Sequence, residues 1–258
     1  MIVGEAEAKI LRAWLRTRAM LAEAAPGGTV EWGPTGALMS LTTSPIAALN
    51  GVLDTADEPD PREVAALAAS AAQRATTPWT IQVRATPSTE IRRVAASHGL
   101  VEESTYSLMV LNLDEQTAAA PPAGGVQVRA VDGADHKIYA DTLAEGFETS
   151  PEVFGSLTSS HVLDATGFTA YLAEHEGAPV ATGFASASGD CVGLFNIATP
   201  PRHRRRGYAR TITQSMLNDA YASGERIAFL SPSEEGLPLY ESMGFRIVHG
   251  FTRFAEQG

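Results

Sequence analysis

The residues with the clearest chemical potential in this sequence form an arginine cluster at the start of a predicted helix. Segment 195–210 reads FNIATPPRHRRRGYAR, an apolar strand followed by two prolines, the arginine cluster and a glycine. N–H groups in the first turn of a helix lack intrahelical acceptors and carry the positive end of the helix dipole, so they attract anions. Gly207 has no Cβ, which lets a phosphate approach the main chain closely. The segment therefore predicts a site for a pyrophosphate.

A solvated basic helix start would contain the same residues and is the alternative. Basic side chains at this position oppose the helix dipole by roughly a few tenths of a kcal/mol each, and an anionic ligand removes that cost. The sequence contains no GxxxxGK[ST] and no GxGxxG, so a P-loop is excluded and a dinucleotide-binding fold has no support. We therefore favour the anion site.

Composition narrows the class of protein. The 258 residues allow one large domain or two small ones, and 44% apolar and 19% charged residues are typical of a globular fold. The net charge of -11 has the wrong sign for wrapping nucleic acid, so we expect no nucleic-acid partner. Cys191 is the single cysteine, which excludes an intramolecular disulfide, and the histidines show no paired spacing. We expect no metal site.

The sequence shows no sign of membrane insertion or export. No apolar run approaches the roughly 18 to 20 residues that cross a bilayer. The N-terminal residues MIVGEAEAKILRAW lack the basic start, apolar middle and small-residue cleavage site of a signal peptide. We expect a soluble protein that stays in the cytoplasm, with no membrane partner.

Alternating and helical patterns predict the elements that position the cluster. In the second half, helices are predicted at 135–145, 208–223 and 237–242, and strands at 126–129, 169–174, 180–186, 191–199, 227–230 and 246–254. In the first half, helices are predicted at 5–24, 61–74 and 89–97, and strands at 29–32, 37–41, 47–53, 79–84 and 105–113. Asp60, Pro61 and Glu63 form a start like a capping box for the helix 61–74.

Two features divide the chain. Residues 117–125 (TAAAPPAGG) predict a linker, since small residues, prolines and glycines form no regular hydrogen-bond pattern. Both halves end in a strand, a short helix, a glycine with an apolar neighbour and a closing strand, with Gly99 and Gly244 in equivalent places. This order suggests a structural duplication, and chance recurrence of a common pattern is the alternative.

The arginine motif resembles a known family signature. RRRGYA at 204–209 resembles the [RQ]-x-x-G-x-[GA] signature of the GNAT acetyltransferase superfamily, and SPSEEGLPLYESMGF at 231–245 is similar to its closing segment. The resemblance covers about residues 126–258. It implies an α/β (α+β, mixed-sheet) GNAT fold, with two GNAT-like domains in tandem. Residues 1–116 would be a degenerate structural or pocket-forming domain, 117–125 the linker and 126–258 the catalytic domain.

The resemblance also implies the co-substrate, acetyl-CoA, and the residues that bind it. Its pyrophosphate would lie on the amides of residues 205–210, and its pantetheine along the strand 195–199, where this strand separates from 227–230. The cofactor-binding residues implied are Ile197, Ala198, Thr199, Arg204, Arg205, Arg206, Gly207, Tyr208, Ala209, Arg210 and Ser233. Ser233 stands where many relatives have Asn. The first half has the acidic segment DTADEPD before Pro61, so we expect it to bind no CoA.

Catalytic residues follow from the same resemblance. Tyr240 matches the family's general acid, and a phenol with a reference pKa of about 10 keeps its proton at neutral pH yet can donate it to a thiolate. Asn196 lies on the acceptor side of its strand and would orient a water. Glu148 is the candidate general base, with a solvated loop carboxylate as the alternative.

The function implied is direct transfer of an acetyl group from acetyl-CoA to a primary amine of a small metabolite. An amino acid, an aminoglycoside or a protein N-terminus would each fit as acceptor, and the loops at 147–163 would form its pocket. The net negative charge slightly favours a cationic small molecule, and a charge that only keeps the protein soluble is the alternative. A longer acyl-CoA or an aminoacyl-tRNA donor, and a non-catalytic acyl-CoA-binding module, remain alternatives. A homodimer stays open.

Overall fold

The computed structural model of the chain describes residues 3–84, 86–118 and 125–257 in a mixed α/β fold. The helices are α1 (Val3–Ala24), α2 (Pro61–Arg74), α3 (Thr89–Ser97), α4 (Glu115–Ala118), α5 (His136–Gly146), α6 (Ser160–Leu163), α7 (Tyr208–Ser223) and α8 (Leu237–Ser242). The strands are β1 (Thr29–Trp32), β2 (Leu38–Leu41), β3 (Gly51–Asp54), β4 (Thr80–Arg84), β5 (Leu100–Asn112), β6 (Val126–Val131), β7 (Phe168–His175), β8 (Ala178–Ser188), β9 (Cys191–Ala198), β10 (Ile227–Leu230) and β11 (Arg246–Glu256).

All six predicted helices are confirmed, and most predicted strands are confirmed to within about two residues at either end. The hairpin predicted across Glu176 and Gly177 joins β7 and β8 in antiparallel register. Two short helices, α4 and α6, were not predicted from the sequence. None of the described helices is both long enough and apolar enough to span a bilayer.

The predicted strand at 47–53 is wrong in its first part. Residues Ala47–Leu49 form a 3₁₀ turn, and β3 starts at Gly51. The reason is the buried Asn50 side chain, whose amide donates to the carbonyls of Ser44 (2.8 Å) and Pro78 (3.0 Å). These bonds to the backbone stabilise a turn in place of a strand.

The strand predicted at 105–113 begins earlier, at Leu100. Residues 101–105 are exposed on both faces of the strand. This part of β5 therefore lacks the alternation of apolar and polar residues by which a half-buried strand is predicted. Of the predicted linker 117–125, residues 119–124 lie outside the described residues. Thr117 and Ala118 belong to α4.

The chain divides into two compact units, and each takes residues from both halves of the sequence. Unit 1 comprises residues 1–17 and 109–246, and unit 2 comprises residues 18–108 and 247–258. The split falls within α1 and within β5. The division into domains at 1–116 and 126–258 stays a prediction.

Unit 1 contains a mixed sheet in the order β5 (from Met109), β10, β9, β8, β7, β6. β10 is parallel to β9 and antiparallel to β5, and the hairpins of β6 to β9 are antiparallel. Helix α7 packs on this sheet with its buried residues Ile212, Met216 and Leu217, which join one hydrophobic core with residues of β8, β9 and β10. This sheet and α7 carry the predicted site.

Unit 2 contains a mixed sheet in the order β1, β2, β3, β4, β11, β5. Met39, Val52, Ile81 and Val83 alternate onto one face, where they form a core with the apolar residues of α2 and α3. The register aligns Leu53, Gln82 and Arg253 across β3, β4 and β11. Because side chains alternate along each strand, these aligned residues lie on the opposite, more polar face.

Helix α2 shows how local residues define an element of unit 2. The carboxylate of Asp60 accepts a hydrogen bond from the Arg62 N–H at 2.9 Å, and Pro61 occupies the first helical position. The predicted role of Glu63 in a capping box is wrong. Glu63 is buried and accepts hydrogen bonds from the N–H groups of Thr35 (3.0 Å) and Ala37 (3.3 Å), so it links α2 to the turn before β2.

We expect the substitution Asp60→Ala to lower the free energy of unfolding by about 1 kcal/mol, because the N-cap acceptor is lost. Asp60→Asn keeps a side-chain oxygen at the same place and should remain close to the wild type. Urea denaturation of the two variants checks this. Equal midpoints for Asp60→Ala and the wild type would contradict the assigned cap.

Candidate active site

The two central strands of unit 1 separate at the predicted site. β9 and β10 pair in parallel from Cys191 opposite Ile227 to Gly193 opposite Phe229. β10 then ends at Leu230, whereas β9 continues to Ala198 and keeps its pairing with β8 on the other edge. Within the described residues, no strand pairs with the β10-facing edge of β9 beyond Gly193. Backbone groups on that edge are therefore available to a ligand.

A β-bulge lies on β9 within this unpaired stretch. The register with β8 shifts between Thr182, opposite Ala198, and Phe184, opposite Phe195. Asn196 has a φ of 50°, in the left-handed region, which Asn tolerates better than most residues. The hydroxyl of Thr182 donates to the Asn196 carbonyl at 2.8 Å. This bond stabilises the irregular backbone where the ladder is interrupted.

Tyr139 of α5 holds the same bulge from the helix side and is a functional candidate that the sequence analysis missed. It is fully buried, and its hydroxyl donates to the Gly183 carbonyl at 3.1 Å. Burial raises the pKa of Tyr139, and the nearby Asn196 side chain acts in the opposite direction. In the sequence Tyr139 is indistinguishable from an apolar core residue of an amphipathic helix.

The turn after β9 presents free backbone donors. Gly207 has a φ of 84°, and the first α7 hydrogen bond runs from the Thr211 N–H to the Gly207 carbonyl at 3.0 Å. The N–H groups of Tyr208, Ala209 and Arg210 therefore have no acceptor within the helix. A Cβ built on Gly207 would have no atom within 4 Å, so the space beside the turn is open.

The arginines of the motif divide into two groups. Arg204 donates to the carbonyls of Thr199 (3.2 Å) and Gly146 (3.0 Å), and Arg202 forms an ion pair with Glu145. These two side chains fasten the turn to the end of α5. Arg210 donates to the Ser242 hydroxyl at 2.5 Å.

Arg205 and Arg206 form the second group. Both are exposed, and within the described residues neither forms an ion pair. Arg205 also has a left-handed backbone, with φ of 63°. These two guanidinium groups are therefore the ones available to a bound anion.

Tyr240 is held in the core of unit 1 by α8. Its side chain is 7% exposed and packs edge-on against Phe245, with ring centroids 5.8 Å apart. It belongs to the same hydrophobic cluster as Leu194 and Leu230, on the two strands that separate, and Ile197 packs against that cluster. Burial raises the pKa of Tyr240 to about 12. The phenol is therefore protonated at neutral pH.

The remaining predicted residues are engaged in local contacts. The Ser233 hydroxyl accepts the Gly236 N–H at 3.1 Å and helps to form the turn before α8. Glu148 is exposed, has a φ of 55°, and forms an ion pair with Arg204 at 2.7 Å. Neither side chain contacts Tyr240 among the interactions of the described residues.

The described residues were also searched for metal-binding clusters and for a reactive thiol. No group of three or more His, Cys, Asp or Glu side chains among these residues is arranged to hold a metal ion. Cys191 is buried, and burial together with the neighbouring Asp190 raises its pKa to about 12. A thiol in that environment is a poor nucleophile.

The chain was compared with known families, curated proteins and solved structures. Residues 127–248 match the family described as "Acetyltransferase (GNAT) domain". No curated protein is significantly similar to the chain. Among solved structures, the chain is similar to a GCN5-related N-acetyltransferase from Kribbella flavida, with a TM-score of 0.66 and 20% identity over 97% of this chain and 95% of that chain.

Two other solved structures have related folds. A conserved protein of unknown function from Staphylococcus epidermidis has a TM-score of 0.64 and 11% identity, over 90% of this chain and 94% of that chain. A GCN5-related N-acetyltransferase from Sphaerobacter thermophilus has a TM-score of 0.51 and 24% identity, over 70% and 61% of the two chains. At these identities the likeness shows the fold, while the family match shows that residues 127–248 are a GNAT acetyltransferase domain, an enzyme of class EC 2.3.1.

Proposed function

We propose that the protein transfers an acetyl group from acetyl-CoA directly to a primary amine of a small metabolite. The GNAT family uses an acyl-CoA donor. The observation that carries the proposal is the open Gly207 turn at the end of β9, beside a strand edge that no other strand of the described residues covers. Acetyl-CoA supplies a thioester carbonyl for attack by the amine and a thiolate as leaving group.

The start of α7 would hold the pyrophosphate. The free N–H groups of Tyr208, Ala209 and Arg210 lie at the positive end of the helix dipole. Arg205 and Arg206 add charge-assisted donors that no carboxylate of the described residues occupies. Arg204, although part of the motif, would act by holding the turn in place, since its donors are used by Thr199, Gly146 and Glu148.

The pantetheine arm would pair with β9 beyond Gly193, along residues that include Ile197, Ala198 and Thr199. The bulge at Asn196 changes which backbone groups face the unpaired edge. Thr182 and Tyr139 would keep those groups in place, because they supply the hydrogen bonds that the interrupted ladder lacks. Tyr139 is in this proposal a positioning residue, and Asn196 serves the bulge through its left-handed backbone.

Tyr240 would donate the proton to the departing thiolate. Its raised pKa keeps the phenol protonated over the whole working range, and its buried position excludes water from the proton transfer. Glu148 is proposed as the group that accepts the amine proton, and Ser233 as a contact of the cofactor arm. Glu148 is bonded to Arg204, and Ser233 is bonded to Gly236. Each group would therefore have to break that bond before it could contact a substrate.

The role of the first half is proposed on the same basis. Residues 1–116 would form a degenerate GNAT-like half that supports the catalytic residues 126–258, with 117–125 as a linker. The likeness to the Kribbella chain extends over 97% of this chain, so it includes the first half. The residues just before α2 include Asp57, Glu58 and Asp60. Their negative charge would repel a pyrophosphate at the start of this helix.

Release of free thiol from acetyl-CoA, measured with a panel of small amines, tests the proposed reaction. We expect release that depends on both the amine and the enzyme, and cationic amines should be preferred because the chain carries a net charge of -11. Longer acyl-CoA thioesters serve as the comparison. Binding of acetyl-CoA without turnover for any amine would favour the non-catalytic module.

We expect the substitution Tyr240→Phe to lower kcat by about 10² to 10⁴ while the Kd for acetyl-CoA changes little, because only the proton donor is removed. The acid is active when protonated, so its rate contribution is lost only as pH rises through about 12. The wild-type rate should therefore show no basic decline from this group between about pH 7 and 10. Tyr221→Phe, on α7, is the matched control. An unchanged kcat in Tyr240→Phe would remove Tyr240 as the acid.

We expect Gly207→Glu to abolish acetyl-CoA binding, because it places a carboxylate where the pyrophosphate would lie. Gly189→Glu is the matched control, since Gly189 also has a positive φ and open space around a built Cβ but lies in the turn before β9. Both variants carry the same conformational strain and the same added charge. Calorimetric titration with CoA separates them, and tight binding by Gly207→Glu would refute the phosphate site.

We expect Tyr139→Phe to raise the KM for acetyl-CoA, because the Gly183 carbonyl loses its partner at the bulge. The buried unpaired carbonyl should also cost about 1 to 3 kcal/mol of stability. Tyr171→Phe is the control, since Tyr171 is another buried tyrosine of unit 1 and packs in the cluster under α7, with its side chain near Asp219. It should lose stability with an unchanged KM. Equal KM values in the two variants would contradict the positioning role.

A further inference from the structure

Arg18 is a buried arginine of unit 2 whose hydrogen-bonding capacity is mostly unused. It lies in α1 with 3% of its surface exposed. Its Nη1 donates to the Ala48 carbonyl at 2.5 Å, while Nε and Nη2 are buried without a hydrogen-bond partner among the described residues. A guanidinium that is removed from water and left unpaired is costly, so this arrangement needs a compensating interaction.

The described residues supply no carboxylate to Arg18. Burial lowers the pKa of Arg18 to about 10, and the charge of Arg253 acts in the same direction, while Tyr106 opposes it. Asp54 of β3 is a buried carboxylate of unit 2. It lies beside Glu63 and Asp60, on the α2 face of the sheet. Although the chain has thirty acidic residues, none of those that the structure describes forms an ion pair with Arg18.

A second guanidinium of unit 2, that of Arg253, lies on the same polar face. Arg253 is half-buried on β11, its Cζ is 4.8 Å from the ring centroid of Tyr106, and its buried Nε also has no hydrogen-bond partner. No ion pair with Arg253 occurs among the described residues. Two neighbouring cations with unused donors form a natural site for an anion.

Hydrogen bonds connect Arg18 to residues around β4, the strand that pairs with the strand of Arg253. Gln82, opposite Arg253 in the β4–β11 register, donates to the Ala48 carbonyl at 2.9 Å, the same carbonyl that accepts from Arg18. The Gln82 side-chain oxygen accepts the Tyr106 hydroxyl at 2.8 Å. Gln82 and Tyr106 thus have hydrogen-bond partners within this region. The donors without a partner are those of the two guanidinium groups.

We propose that unit 2 binds a small carboxylate-bearing molecule at the buried edge of Arg18 and the Nε of Arg253. The Nε and Nη2 of one guanidinium present two parallel donors at the spacing of the two carboxylate oxygens. A monoanion loses less hydration energy than a dianionic phosphate on entering a site lined by Tyr106 and Phe251, whose rings stack at 5.2 Å. Because the Arg18 donors are sealed from solvent, the half-buried Arg253 side chain has to move aside to admit the ligand and then returns to bind it through Nε.

Thermal unfolding with simple carboxylates tests the site in the full chain. The probes are sodium acetate and sodium benzoate, with sodium chloride added to keep ionic strength constant and sodium phosphate as the competing anion. At a concentration about 100 times Kd, the ratio of folded to unfolded protein should rise about 100-fold, which shifts Tm upward by about 5 to 10 °C. No shift with acetate or benzoate, or a larger shift with phosphate, overturns the proposal.

Two substitutions test whether the carboxylate-dependent shift in Tm arises from binding at Arg18. Arg18→Met should lose the carboxylate-dependent shift and, without ligand, should be no less stable than the wild type, because an apolar side chain replaces an unpaired buried charge. Arg93→Met, an exposed arginine of α3 with 74% side-chain exposure, should keep the full shift. A retained shift in Arg18→Met, or a less stable Arg18→Met protein together with no carboxylate effect in the wild type, refutes the site.

Arg253→Met provides a second test that does not disturb the buried core, and we expect its carboxylate affinity to fall at least about 10-fold. An unchanged affinity in this variant overturns the two-arginine site. Binding of CoA at the α7 turn should be unaltered in both variants, since neither arginine belongs to unit 1's turn. Failure of this inference is thus distinguishable from failure of the proposed acetyl transfer.

Discussion

The site of unit 1 depends on one constraint, that backbone N–H and C=O groups of a strand need partners. β9 satisfies them fully only as far as Gly193, where its parallel pairing with β10 ends. Beyond that point the strand needs either water, side chains or a ligand along one edge. At the bulge, Thr182 and Tyr139 supply hydrogen bonds on the β8 side, to the carbonyls of Asn196 and Gly183, and leave the β10-facing edge free. In the proposed function, the amide groups of the pantetheine arm pair with that free edge.

The arginines of the cluster differ in what they contact. Arg202 and Arg204 use their donors on Glu145, Glu148 and backbone carbonyls, which fixes the turn between β9 and α7. Arg205 and Arg206 are exposed, and in the proposed function they bind the pyrophosphate while the first pair holds the backbone. A phosphate site needs both properties, since donors are effective only when their geometry is set before the ligand arrives.

Local chemistry explains what the sequence could predict. Prolines, glycines and caps such as Asp60 act within a few residues, so helix bounds and the Gly207 turn were predictable. The bulge at Asn196, the partner of Glu63 and the role of Tyr139 depend on contacts between residues far apart in the chain. The apolar periodicity of α5 predicts that Tyr139 is buried. It does not predict which carbonyl accepts a hydrogen bond from the Tyr139 hydroxyl. The strand at 47–53 failed because the bonds of Asn50 stabilise a turn.

Unpaired polar groups have different consequences in the two units. In unit 1 the free donors lie on an exposed turn, where water can satisfy them at little cost until an anion replaces it. In unit 2 the free donors of Arg18 are sealed from water, so their cost is present at all times unless a ligand or a proton loss removes it. Arg18 remains charged at neutral pH even with its pKa lowered to about 10. In the proposed site, a bound carboxylate stabilises that charge.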